Sequence, residues 1–277
     1  MLTDDSHEFL RVLIDQLCED LKDVPLCKEN KIQEASEIEL DNMPLLQKSD
    51  YWWRRHLAQN SSVITRDFCG QLISTIQCTV CKTKRYTFDP FYDISLPFPE
   101  GSGDSAGNNQ KQSRRSLLQS RRNSTDLSRC SLDDCLREFC KDEELQDMTE
   151  CSKCRQKRES TKKLQVFRFP RVLVLHHKRF GNSRKKVRTS IDFPKASFDA
   201  SPLAYADGLH ANGITAPIYE LYAVIDHSGR LNFGHYVATC VDPHSGSWYK
   251  FDDEDAREYD LFDGAGAYML FYRLKES

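Results

Sequence analysis

The sequence predicts an α+β fold with a mainly antiparallel sheet, from three observations. Helical periodicity opens the chain, two long phases of β-branched and aromatic runs follow, and only a few short helical stretches interrupt them. At 277 residues with 39% apolar content, the chain can bury a substantial core as one large domain or two small ones.

The opening helix is signalled by Asp5 and Glu8, spaced as a capping box, followed by Leu10, Leu13, Ile14, Leu17 and Leu21 at helical intervals. So abrupt an entry into an amphipathic helix points to a segment upstream of Met1. Residues 26–62, including "YWWRRHL", are polar with scattered aromatics and read as irregular chain with short helices. From Ile64 to Leu96 the pattern alternates as strands do, and the prolines of "YTFDPFYDISLPFP" close that region. Residues 101–129 are rich in Gly, Ser, Asn and Arg and too poor in apolar residues to offset the entropy of ordering, so a disordered insertion is expected there. "SLDDCLREFC" reads as a short helix. "KLQVFRFPRVLVLHHKRF", "YELYAVIDHSG", "HYVATCVD", "SWYKFDD" and "AYMLFYRL" then read as strands.

Composition narrows the function classes. A formal charge of −3, from 39 basic and 42 acidic residues, supplies no overall field for a phosphate backbone, so nucleic acid is not the expected partner. No apolar run has the length of a membrane span, and "MLTDDSHEFL" lacks the form of a signal peptide. A soluble chain of the cytosol or nucleus is expected, acting as a monomer and not at a membrane. The 11 cysteines are odd in number and include two C-x-x-C pairs, which suits reduced thiols with some bound to metal better than a disulfide framework.

Those two pairs share a longer pattern. "CTVCKTKR" at 78–85 and "CSKCRQKR" at 151–158 write one small unit twice. Cys78, Cys81, Cys151 and Cys154 together would offer four thiolates to one structural Zn²⁺, and the following Lys and Arg residues would offset the surplus negative charge. Coincidental spacing, or a redox dithiol in one pair, are the rival readings. A zinc-ribbon nucleic-acid binder would have only these two basic knuckles in its favour.

"GHYVATCVDPHSGSWYKFDDED", residues 234–255, reads as a hairpin turning at "DPHSG". With the turn centred between Pro243 and His244, His235 faces Asp252, near enough for a carboxylate to accept one imidazole proton while the other nitrogen acts as a base. Gly234 would let a substrate backbone approach. A surface His–Asp pair at a strand end is the rival reading. His244 falls in the turn, and His176 and His177 follow the run "VLVL" as structural residues.

Together these residues resemble the catalytic domain of the ubiquitin-specific proteases, and the resemblance runs over nearly the whole chain. "DDSHEFLRVLIDQL", "FCGQLISTIQCTVC", "TFDPFYDISLP", "FPRVLVLHHKRF", "GHYVATC", "WYKFDDE" and "AYMLFYRL" follow in that family's order. The resemblance implies a papain-like hand of Thumb, Palm and Fingers over residues 1–277, with the zinc ribbon in the Fingers and residues 101–129 as an insertion. It implies a thiol hydrolase that removes ubiquitin from ubiquitinated proteins. His235 would be general base, Asp252 would orient it and Asp253 would support the same loop. Asp5, Glu8, Gly234 and Tyr236 would contact ubiquitin. Two departures stand out: Asp4 replaces a usual Gln, and His177 a usual Leu. The family's Cys box lies ahead of the first helix, and none of Cys18, Cys69, Cys130, Cys135, Cys140 and Cys240 has its context. The resemblance therefore implies a nucleophile outside this sequence, or a non-catalytic ubiquitin-binding protein.

Overall fold

The computed structural model describes residues 5–99, 129–180, 186–211, 213, 216–230, 233–259 and 264–275. The first helix, Ser6–Asp20, starts at Asp5, whose carboxylate accepts the His7 amide at 2.8 Å. Glu8 is exposed and returns no bond, so the expected capping box is only half made. One side of the helix buries His7 and Ile14, with Leu10, Leu17 and Cys18 half-buried beside them. A second apolar side stays open, where Phe9 and Val12 are 65% and 63% exposed.

Residues 26–62 contain short helices as expected, Val24–Glu29 and Glu37–Asn42, but they depart from the expectation in the 16-residue helix Leu45–Asn60, in which "YWWRRHL" lies. Its apolar residues are too few for a clean periodic stripe. Tertiary packing holds it instead: Leu45 and Trp52 lie against buried Ile73, Phe88 and Phe167, and the Ser49 hydroxyl donates to Gln71 at 2.8 Å. A short helix, Val63–Phe68, capped by Ser62, takes the place of the strand expected from Ile64. The first strand begins at Gly70.

Two main sheets follow. The smaller runs in the order Lys84–Phe91, Gly70–Cys78, Ser160–Arg168, Glu143–Glu144, all antiparallel. Pro90 sits on its edge strand, where a missing amide breaks no ladder bond. The larger sheet runs Asp255–Glu258, Trp248–Asp252, Phe233–Val241, Ile218–Arg230, Ala267–Leu274, Val172–His177, Ile94–Leu96. Only its last pairing is parallel; Phe198–Asp199 adds an antiparallel edge to Ile218–Arg230. The predicted α+β class with mostly antiparallel sheets is what is found.

Of residues 101–129, all but Arg129 lie outside the described residues; Arg129 opens the strand Arg129–Ser131 ahead of helix Leu132–Phe139. That helix seals the main core with Leu132 and Leu136 against Leu96 and Leu203. Fully buried Arg179 braces the sheet by donating to the carbonyls of Ala267, Val187, Thr189 and Gly264 at 2.7–3.1 Å. Among the described residues no helix is long and apolar enough to cross a membrane.

Candidate active site and metal centre

The duplicated sequence unit is also duplicated in backbone geometry. Lys82 and Arg155, each following the second cysteine of its knuckle, adopt left-handed φ of 58° and 53°, and each amide returns to the carbonyl of the first cysteine, Cys78 or Cys151. These turns aim the sulfurs of Cys78, Cys81, Cys151 and Cys154 at one point, all within 4.8 Å of one another, with Cys81 and Cys151 3.4 Å apart. A zinc ion about 2.3 Å from four sulfurs needs a tetrahedron with edges of about 3.8 Å, so the cluster fits a tetrahedral thiophilic metal.

His235 lies on strand Phe233–Val241 and Asp252 ends strand Trp248–Asp252. The pairing differs from the expected register. Ala238 faces Phe251 and Thr239 faces Lys250, so the turn centres one residue later, between His244 and Ser245. Asp242 causes the shift: its carboxylate accepts from His244 N, Ser245 N and Ser245 Oγ, and Gly246 supplies φ of 74° to return the chain. Asp252 therefore stands diagonal to His235 rather than opposite it. A shift of two positions in pairing keeps both on one face, and the diagonal reach suffices.

The contact itself is short. His235 Nε2 donates to Asp252 Oδ1 at 2.6 Å, and Lys250 Nζ lies 3.6 Å from the other oxygen. Nδ1 of His235 has no partner among the described residues. The bond to Asp252 raises the His235 pKa above its ordinary value, with Asp253 adding to it, and the same bond lowers that of Asp252. Asp253 completes the group, in a left-handed turn at φ 53° with its carboxylate within 4.8 Å of both partners.

The other expected site residues fall into two sets. Asp5, Tyr236 and Gly234 are drawn together around Tyr268 and His227. The Tyr268 hydroxyl donates to the Asp5 carboxylate, 2.9 Å from each of its oxygens, and the Tyr236 ring lies 5.6 Å from that of Tyr268 and 4.6 Å from that of His227. Asp5 is thus held by a cap and a phenol, while Glu8 points to solvent from the same turn. Gly234 has a packing reason beyond any approach of substrate: a Cβ there would stand 1.9 Å from His227 Nε2.

One cluster was not foreseen. Asp93 accepts from His7 Nε2 at 2.8 Å and from Arg11 Nε at 2.9 Å; the His7 ring stacks on His176 at 3.8 Å, and His176 bonds Ser95. Burial pushes the Asp93 carboxyl up, but its two cationic or donor neighbours prevail and hold it at about 2. Desolvation drives His176 down to about 3, consistent with the structural role expected of it and of fully buried His177. The partners lie more than 80 residues apart in sequence, and no local signal links them.

None of the 11 cysteine sulfurs bonds to His235. Cys69 does approach an imidazole, 3.5 Å from His56 Nε2, but burial pushes its thiol up to about 12 and leaves it inert.

Comparisons with known proteins identify the family and the fold. The model of the ubiquitin carboxyl-terminal hydrolase family matches residues 1–272. The chain is 33% identical over 277 residues to ubiquitin carboxyl-terminal hydrolase 2 of Homo sapiens, covering 98% of this chain and 40% of that protein. It is 32% identical over 275 residues to Usp2 of Drosophila melanogaster, covering 97% of this chain and 25% of that one. Among solved structures, a SAGA DUB module of Ubp8, Sgf11, Sus1 and Sgf73 bound to monoubiquitin contains a chain that superposes with a TM-score of 0.66 at 25% identity, covering 99% of this chain and 49% of that one. The chain thus spans well under half the length of the two curated relatives it is compared with here. On the family match and the shared fold, it belongs to the ubiquitin carboxyl-terminal hydrolase family.

Proposed function

We propose that residues 1–277 form the greater part of the catalytic domain of a deubiquitinating thiol hydrolase that cleaves the bond after the C-terminal glycine of ubiquitin. The observation that carries this reading is the 2.6 Å bond from His235 Nε2 to Asp252, which leaves Nδ1 open at the rim of the sheet. An imidazole so held takes a proton from a thiol, returns it to the leaving amine, and then activates the water that releases the acyl-enzyme. Asp252 fixes the ring and Asp253 supports the same turn. The nucleophile is a cysteine outside these 277 residues, because none of the cysteines within them meets the base.

Ubiquitin and ubiquitinated proteins are the partners, received near Glu8, Asp5, Gly234 and Tyr236. The chain acts as a monomer of the cytosol or nucleus and engages neither nucleic acid nor membrane. Cys78, Cys81, Cys151 and Cys154 hold one structural Zn²⁺ that ties the two knuckles together; a site closed by four thiolates leaves no open position for catalysis. The segment 101–129 is an insertion within this domain.

A non-catalytic ubiquitin-binding protein is the second reading, favoured by the lack of a thiol beside His235. Ubiquitin carrying a thiol-reactive C-terminal group separates the two. The 277-residue chain should bind ubiquitin without being labelled. The longer gene product should be labelled on one upstream cysteine, and there His235→Ala should abolish turnover while ubiquitin affinity stays within about twofold. A full-length product that binds ubiquitin but is never labelled would establish the second reading.

A further inference from the structure

Helix Leu132–Phe139 begins with a complete capping box. The Asp134 amide donates to Ser131 Oγ at 3.2 Å, and Asp134 Oδ2 accepts the Ser131 amide at 3.0 Å. With Ser131 as N-cap, Cys130 is the residue just before the cap and Cys135 the fourth residue of the helix. Those two positions pack against each other in a hydrophobic staple. Here both are cysteines, and their sulfurs lie 3.9 Å apart.

Their surroundings are unequal. Cys135 is 0% exposed within the main core, whereas Cys130 is 9% exposed and forms part of the wall of a cleft of about 530 Å³ with Pro99, Arg129 and Arg137. Peroxide, little larger than water, fits that opening. The hydrogen bond from Cys135 lowers the pKa of the Cys130 thiol against the opposing effects of burial, Asp134 and Asp192, with the Arg179 guanidinium adding to the lowering; the same bond, then burial, pushes Cys135 up. Elsewhere burial raises Cys69 to about 12 and Cys140 to about 11. A thiol on the wall of a cleft, in contact with a second thiol buried behind it, is the arrangement of an attacking and a resolving cysteine.

The structure assigns Cys130 and Cys135 as a modification site, a dithiol that hydrogen peroxide converts to a disulfide at the entrance of helix Leu132–Phe139. The Cys130 sulfur attacks one peroxide oxygen, the O–O bond breaks, and the departing hydroxide leaves as water with the Cys130 proton. Cys130 is then a sulfenic acid. The Cys135 sulfur attacks the Cys130 sulfur, the S–O bond breaks, and a second water carries off the hydroxyl with the Cys135 proton. Two thiols are oxidised, one peroxide is reduced, and two waters form. The closure needs no large movement, because the staple already holds the sulfurs within about 2 Å of bonding distance.

Trypsin cuts after Arg129 and Arg137, so both cysteines fall in one peptide, "CSLDDCLR". The test treats the folded 277-residue chain with hydrogen peroxide, removes the peroxide, denatures the chain in excess alkylating agent so that every remaining thiol is capped as it is exposed, and weighs that peptide. The expected product is the unalkylated peptide lighter by two hydrogens, formed on the order of tenfold faster than any oxidation of Cys69 or Cys140. In Cys135→Ala, the sulfenic acid should persist and be trapped by dimedone on Cys130; in Cys130→Ser, Cys135 should stay a thiol. The wild-type measurement needs no variant, so a misfolded mutant leaves the test intact. Recovery of the peptide with two alkyl groups, a link from Cys130 to Cys140, or a disulfide that forms only in denatured chain would overturn the assignment.

Discussion

Gly234 lies so close to the His227 ring that a Cβ would stand 1.9 Å from Nε2, and this contact fixes the strand that carries His235. His227 has no room to withdraw: it is 2% exposed, with the rings of Tyr236, Phe180 and Tyr268 centred 4.6, 5.3 and 5.9 Å away. Gly234→Ala should therefore displace the strand and cost about 1–3 kcal/mol, the usual range for overpacking. A urea midpoint equal to that of wild type would refute it.

The His235 pKa lies above the ordinary histidine value because Asp252 accepts its Nε2 proton. Asp252→Asn should lower it toward about 6.5, read as the midpoint of the ring-proton shift in an NMR titration. The sign for folding follows from the same bond. A raised folded pKa favours the native state below the unfolded value, and that contribution fades as pH rises through the folded value. An unchanged midpoint in Asp252→Asn would show that the bond does not set the charge of the base.

His177 is fully buried, and its ring nitrogens form no well-aligned hydrogen bond among the described residues, with only a weak approach to the Tyr268 backbone. His177→Leu removes two unsatisfied polar atoms and should stabilise the fold by about 1–3 kcal/mol, seen as a higher urea midpoint at unchanged slope. A lower midpoint would mean that the ring has a partner.

Acid should weaken the fold in a window set by the same histidines. Desolvation holds His177 well below its ordinary value and His176 at about 3, so below about pH 6.5 the unfolded chain binds protons that the native one refuses. Stability is full above that pH and falls as pH drops, by up to about 1.4 kcal/mol per pH unit for each histidine. Asp93, held at about 2, adds a second loss only below its unfolded value near 4. Denaturation curves between about pH 7 and 4.5 test this, and His177→Leu should show a shallower fall than wild type.

Purified protein should carry about one zinc per chain, and Cys78→Ser should lose most of it. Chelation should loosen the ends of strands Gly70–Cys78 and Ser160–Arg168, raising amide exchange at Thr79 and Thr161 before it reaches the larger sheet. A protein free of metal with the same thermal midpoint would rule the ion out as a structural element.

Local chemistry made much of this protein legible from its sequence. The C-x-x-C-[KR] unit, written twice, determined two turns with the same left-handed residue, since that geometry depends on a few neighbouring atoms. Strand alternation determined the sheet-rich class, and Ser131 with Asp134 determined where a helix starts. Tertiary structure decided what depends on distant partners. Helix Leu45–Asn60 exists because Trp52 and Leu45 find Phe88 and Phe167, residues its own periodicity does not announce. Asp93 finds His7 and Arg11 across more than 80 residues, a pairing created only when the first helix docks beside strand Ile94–Leu96. The meeting of His235 with Asp252 was legible as a face but not as a register. Parity along a strand survives a whole-residue shift of the turn centre, which moves the pairing by two, whereas the centre itself was set by the Asp242 carboxylate capturing His244 and Ser245 in three dimensions.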